Sequence, residues 1–158
     1  MALRRRAVRE RVLQALYAYE LSREPIDMII ENIAGDLKKH PEAFAFAREL
    51  ILKVVETTRE LDDLIRARIE HWEFNRLAVI DRVILRMGIC ELLYFDDIPP
   101  KVSINEAIEI AREFSTEKSD KFVNGVLDSV LDDLKHAERL TKSGRGLVDT
   151  AQVHPKKK

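Results

Sequence analysis

Apolar residues return every three or four positions along most of this chain, and only five Gly and five Pro interrupt its 158 residues. A 3.6-residue period puts such positions on one side of a helix, whereas a half-buried strand requires alternation. Val8, Val12, Ala15, Leu16 and Tyr19 form a first stripe, whose helix is predicted to end near Ser22, ahead of Pro25. Ile26, Ile29, Ile30, Ile33 and Leu37 form a second, with Pro25 in its first turn and a stop at His40-Pro41. Phe44, Ala47, Ile51, Val54 and Val55 make a third. Thr57-x-x-Glu60 reads as a capping box that opens a fourth helix through Leu61, Leu64, Ile65 and Ile69. Residues 77–94 are apolar on too broad an arc for one buried face, which predicts a central helix contacted from several sides. After the break at residues 96–100, Ser103-x-x-Glu106 reads as a second capping box, launching a helix to about Phe114. A polar turn at 115–120 and a last helix over 121–140 complete the pattern. The expected fold is all-α, a compact bundle of about seven helices in one domain over residues 1–140. Residues 141–158 show no apolar period, end in three lysines and are expected to be a disordered tail.

Helical bundles serve many purposes, so charge and motif must narrow the function. The net charge of −1 supplies no global field for nucleic acid, and any attraction must come from local clustering. Residues 1–11 provide it, with Arg4, Arg5, Arg6, Arg9 and Arg11 against Glu10 alone. Glu10, Arg11 and Gln14 break up what would be the apolar core of a signal peptide, and no stretch is apolar enough to span a bilayer. Cys90 is the sole cysteine and lies in an apolar run, which fits a small core residue in a reducing compartment. A cytoplasmic protein without a membrane partner is expected.

On a helical wheel, Arg5 and Arg9 border one side of the first stripe, Arg4 and Arg11 the other, and Arg6 points roughly away. Guanidinium groups beside a packed surface suit phosphate gripping and base stacking. Ordinary surface ion pairing is the alternative, but arginine at a helix N-terminus opposes the macrodipole, so helix stability does not explain the cluster. Phe114 and Phe122 flank the polar turn, with Lys118 and Lys121 between them. Aromatic rings for bases and ammonium groups for phosphates are the components of a single-stranded RNA site, although for either ring alone a place in the helical core is favoured. Asn124 can bond a base edge or make a packing contact. Gly125 interrupts an apolar helix, for which close approach of another helix is the first explanation and a ligand backbone the second. Asn105 and Glu106 are accounted for by capping.

Enzymatic readings find no support. His40, His71, His136 and His154 have no metal-ligand spacing with one another or with Cys90, and no metal or cofactor is expected. Gly-rich phosphate loops, nucleophile elbows and HExxH are missing. Asp128, Asp132 and Asp133 read as an acidic solvated face rather than a nuclease metal site.

Four segments in order, RRRAVRERVLQALY (4–17), IDRVILRMGICELL (80–93), PPKVSINEAIEIA (99–111) and KFVNGVLD (121–128), resemble the NusB family. The resemblance runs from Arg4 to about Leu134 and divides the bundle into two three-helix-like halves. It implies a transcription antitermination factor that binds boxA RNA, notably of ribosomal RNA operons. NusE, the small-subunit ribosomal protein ten, would bind alongside, and the pair would join the other Nus factors on RNA polymerase. It also implies that Arg5, Arg6, Arg9, Gln14 and Tyr17 contact RNA, with Arg4 adjoining them. Lys101, Lys118, Lys121 and Phe122 match a second RNA-facing patch, next to Phe114 and Asn124; other members can carry an acid at Lys118. Asp81 matches an acidic position used against NusE, and Arg82 and Arg86 are further partner-facing candidates. Two other readings remain: an RNA-binding module of the kind fused to ribosomal RNA methyltransferases, or a helical protein-interaction scaffold, including a homodimer.

Overall fold

The computed structural model describes residues 3–147, except for the side chain of His71. Among them are eight α-helices, and the chain forms two compact units that divide after Thr58.

The first unit is a three-helix arrangement of α1 (Arg5–Ser22), α2 (Ile26–Ala34) and α3 (Pro41–Glu56). The predicted stripes become its core: Val8, Val12, Ala15 and Leu16 of α1 are buried with Ile29 and Ile30 of α2 and Leu50, Ile51 and Val54 of α3. Leu37 joins them from a 3₁₀ turn, Gly35–Lys39, because α2 stops at Ala34. Pro41 starts α3, where its missing N–H costs nothing. Arg11 ties α1 to the end of α2, donating to the Ile33 carbonyl at 3.0 Å and to Asp36 at 2.6 and 3.0 Å. That fork holds the Asp36 carboxyl below its ordinary pKa.

The second unit holds α4 (Thr58–Arg66), the single turn α5 (His71–Phe74), α6 (Val79–Tyr94), α7 (Pro100–Phe114) and α8 (Ser119–His136). As expected for a helix packed all round, α6 is buried continuously from Val83 to Leu93. Its Gly88 allows α8 to approach, since a Cβ there would stand 3.0 Å from a Leu127 methyl. Asp62 of α4 receives both arms of Arg86 from α6, at 2.7 and 2.9 Å, and the two side chains are buried together.

Both expected capping boxes are corrected, because the hydroxyls are engaged elsewhere. The Thr57 and Thr58 hydroxyls donate back to the carbonyls of Lys53 and Val54, so they close α3 instead of opening α4. Pro99-Pro100 starts α7 a turn earlier than expected, which leaves Ser103 inside the helix, donating to buried Glu91 at 2.7 Å. The last helix likewise begins at Ser119 and ends at His136. Residues 141–147 depart from the expected disorder. Thr141 donates to Asp96 at 2.6 Å, Ser143 N–H to the Asp96 carbonyl at 3.0 Å, and Lys142 Nζ to the carbonyls of Glu91 and Phe95 at 2.9 and 2.7 Å. These polar bonds satisfy the carbonyl end of α6, and such contacts leave no hydrophobic period to read. The rest of the expected tail, 148–158, including His154, lies outside the described residues.

Candidate nucleic-acid interface

At the start of α1, packing sorts the arginines by depth. Arg4 occupies the N-cap and is exposed. Arg5 is also exposed, with its guanidinium 3.9 Å from the centre of the Phe46 ring. Arg9, one turn on, is 3% exposed and 5.3 Å from the same ring. The expectation of an open Arg9 is thereby corrected: its position bordering the stripe puts it under α3, where Phe46 provides a cation–π surface. Arg6 is half-buried, and Gln14 and Tyr17 are exposed farther along α1. Neither Arg4 nor Arg5 has a carboxylate partner among the described residues. A recess of about 410 Å³ beside Arg5 also takes Lys39 and His40, with Glu42 as its one acid. Lys38-Lys39-His40 was the available signal for that extension, and the helical reading passed over it as a helix end.

In the second unit, the turn between α7 and α8 is held from beneath. Asp81 is 9% exposed and accepts hydrogen bonds from Ser115 Oγ at 2.6 Å and Ser119 Oγ at 3.0 Å. Lys118 stands exposed at the N-cap of α8 and Lys121 one turn on, neither with an ion-pair partner among the described residues. Phe122 is half-buried and lines a groove of about 660 Å³ between α8 and residues 67–73. Its floor includes Gly125, Val126 and Ser129, and Glu70 and Glu73 stand on the other side. Arg68, also on that wall, is occupied by Asp133 of α8, to which it donates at 2.7 Å through Nε. Asn124 is exposed, whereas Phe114 and Lys101 are half-buried. Gly125 corrects the packing explanation offered from sequence, because nothing lies within 4 Å of a Cβ built on it.

Each unit thus carries exposed cations near the start of a helix, Arg4 and Arg5 beside Phe46 and Lys118 and Lys121 next to Phe122. Comparison with known proteins decides the family. The sequence profile described as "NusB family" matches residues 6–132. The chain belongs to the NusB family. The transcription antitermination protein NusB of Chloroherpeton thalassium is 46% identical over 154 residues, covering 94% of this chain and 71% of the relative. A NusB structure from T. maritima superposes with a TM-score of 0.77 at 42% identity, covering 84% of this chain and 94% of that one. At 23% identity, a NusB crystallised with NusE and double-stranded RNA shares the fold, with a TM-score of 0.71 and coverage of 82% and 96%.

Membership does not make every matched NusB position a surface contact. Asp81 and Arg86 were expected to face a partner and are buried instead, one held by two serines and the other by Asp62. The reason is the helix that bears them: α6 has neighbours on all sides, so a charged residue on it needs an internal partner. Arg82 is only half-buried, with its guanidinium 5.5 Å from the Phe74 ring and a buried Nε that finds no hydrogen-bond partner. Among the described residues no group of three or more His, Cys, Asp or Glu is placed to hold a metal, and no helix is long and apolar enough to cross a membrane.

Proposed function

We propose that this chain is a cytoplasmic, non-enzymatic antitermination factor that binds single-stranded boxA RNA together with NusE. In this reading the pair then joins the other Nus factors on RNA polymerase. The observation that carries it is the pair of uncompensated arginines, Arg4 and Arg5, at an exposed helix start. A fold stabilised by surface ion pairs would set carboxylates against them; a polyanion supplies the missing charge. Family membership and the related NusB crystallised with NusE and RNA support the same partners. Arg6, Gln14 and Tyr17 extend the α1 contact, and Lys101, Phe114, Lys118, Lys121, Phe122 and Asn124 form a second one. Arg82 is the partner-facing candidate left on α6 with exposed surface, while Asp81 acts behind it by holding the serines.

Anisotropy titration of a short boxA-type RNA, with and without NusE and across a salt series, tests this reading. Arg4→Glu with Arg5→Glu is expected to weaken binding and to flatten the log–log salt slope by about 0.7 for each lost phosphate contact. Phe122→Ala should cost about 1–3 kcal/mol of RNA affinity, the worth of a stacked base. Its effect on stability should fall below the roughly 3–5 kcal/mol of a fully buried phenylalanine. Salt-independent binding, or unchanged affinity in the arginine variant, overturns the assignment and favours a protein-interaction scaffold.

A further inference from the structure

We propose that the groove along α8 seats one unstacked base of the RNA directly over Gly125, and that it favours a base carrying an exocyclic amino group. The proposal rests on the RNA-binding reading above and specifies how one part of that surface works. Gly125 is the seventh residue of the 18-residue helix α8. Glycine there is unfavourable, and the fold offers no compensation: a Cβ would meet nothing within 4 Å. Gly88 shows the contrasting case in the same unit, where Leu127 stands 3.0 Å from the added atom. Gly88 is small because a helix approaches it; Gly125 is small beside an open groove.

That groove has the parts of a base subsite. The half-buried Phe122 ring lies one turn before Gly125, and together they line the same recess. A bare backbone lets a flat ring settle against the helix, where any side chain would prop it outward. Lys121 also lines it and has no ion-pair partner among the described residues, so a phosphate has a cation on that side. Glu70 and Glu73 stand on the other side, each carboxylate accepting the other residue's backbone N–H in the capping box that opens α5, and from there they repel phosphate and orient the nucleotide. Carboxylates only accept hydrogen bonds, and cytosine, adenine and guanine each offer an exocyclic amino donor. Uracil has none. The arrangement therefore places the sugar-phosphate toward Lys121 and the amino edge toward the glutamates.

The test combines substitution at Gly125 with abasic scanning of a short boxA-type RNA. Gly125→Ala should raise the urea midpoint of the protein, since the position is helical and open, while weakening RNA binding. Gly125→Leu should weaken it further, by about tenfold or more, the loss of one stacked base. One RNA position should exist at which removing the base weakens the wild type but leaves the Gly125→Leu protein unaffected. At that position, cytosine should bind more tightly than uracil. Wild-type affinity in Gly125→Leu overturns the proposal, and so does the absence of any coupled RNA position. Equal binding of cytosine and uracil at that position overturns the amino preference. The Arg4→Glu, Arg5→Glu protein separates the two readings. If it loses affinity while Gly125→Leu does not, the groove proposal falls and RNA binding stands. If the wild type binds no RNA, both fall.

Discussion

Helices α1 and α6 both set charged residues against an apolar stripe, yet Arg4 and Arg5 of α1 are exposed whereas Asp81 and Arg86 of α6 are buried. The difference follows from how many sides each helix presents to neighbours. In its unit α1 packs against α2 and α3 and keeps an outer face, so residues beside its stripe emerge into solvent unless, like Arg9, they pass under Phe46. Helix α6 has no such face along Val83–Leu93, and its buried charges are matched from elsewhere in the unit: Asp62 of α4 for Arg86, Ser103 for Glu91 and, just before that stretch, Ser115 and Ser119 for Asp81. Open charges are available for a partner molecule. Closed charges set the geometry of the elements that carry the open ones.

The largest expected effect is at the closed end of that comparison. Arg86→Ala should destabilise the protein by about 3–5 kcal/mol, because it strands the buried Asp62 carboxylate. Replacing both members with apolar residues of similar volume, Arg86→Met with Asp62→Leu, should recover most of that loss. Urea unfolding of the single and double variants measures it. A single variant close to wild type would mean that water reaches the pair and that α6 is less closed than its packing indicates. Asp81→Ala comes next, at about 1–3 kcal/mol for the two hydrogen bonds to a charged acceptor that it removes, the serine hydroxyls keeping only each other and Thr116. Since those serines hold the turn before Lys118 and Lys121, this variant should also weaken RNA binding in protein that remains folded. Full RNA affinity with reduced stability would confine Asp81 to a packing role.

What the sequence made legible divides along the same line. Periodicity located the long helices, because α1, α3 and α6 present apolar faces whose spacing is a local property. The start of α7 was misplaced because Pro99-Pro100 opens the helix and Ser103 bonds Glu91 across to α6, whereas α4 starts where expected but without its expected cap, since the threonine hydroxyls bond back to α3. Arg4, Arg5, Lys118 and Lys121 were readable as exposed from their place at helix starts or beside a polar turn, although Arg6, which helix phase points outward, is half-buried. Burial of Arg9, Asp81 and Arg86 depends on Phe46, Ser115, Ser119 and Asp62, residues 24 or more positions away, and no local pattern encodes such pairs. The open setting of Gly125 was hidden in the same way, because the space beside a glycine is defined by what other elements do not fill.

Lys142 lies between the two extremes and carries the smallest expected effect. Its ammonium reaches the carbonyls of Glu91 and Phe95 at the end of α6, a favourable place for a cation, but the segment 141–147 partly buries it. Burial pushes its pKa down from 10.5 to about 8, against the opposing pull of Glu91, Asp96 and Asp97. From about pH 8 to 10.5 the folded protein therefore binds fewer protons here than the unfolded chain, so this group makes stability rise with pH across that window. Below pH 8 the cost of burying the charge is present in full. Lys142→Met removes the charge and with it the slope. Urea midpoints at pH 7.5, 8.5 and 9.5 should therefore shift in favour of the wild type, relative to the variant, as pH rises. Tyr94, pushed up to about 12 mainly by its hydrogen bond to Glu60, contributes the opposite sign only above its ordinary value of 10.0, outside that series. A constant difference between the two proteins across the series would place the Lys142 ammonium in solvent, and the segment that carries it would then count among the open charges with Arg4 and Arg5.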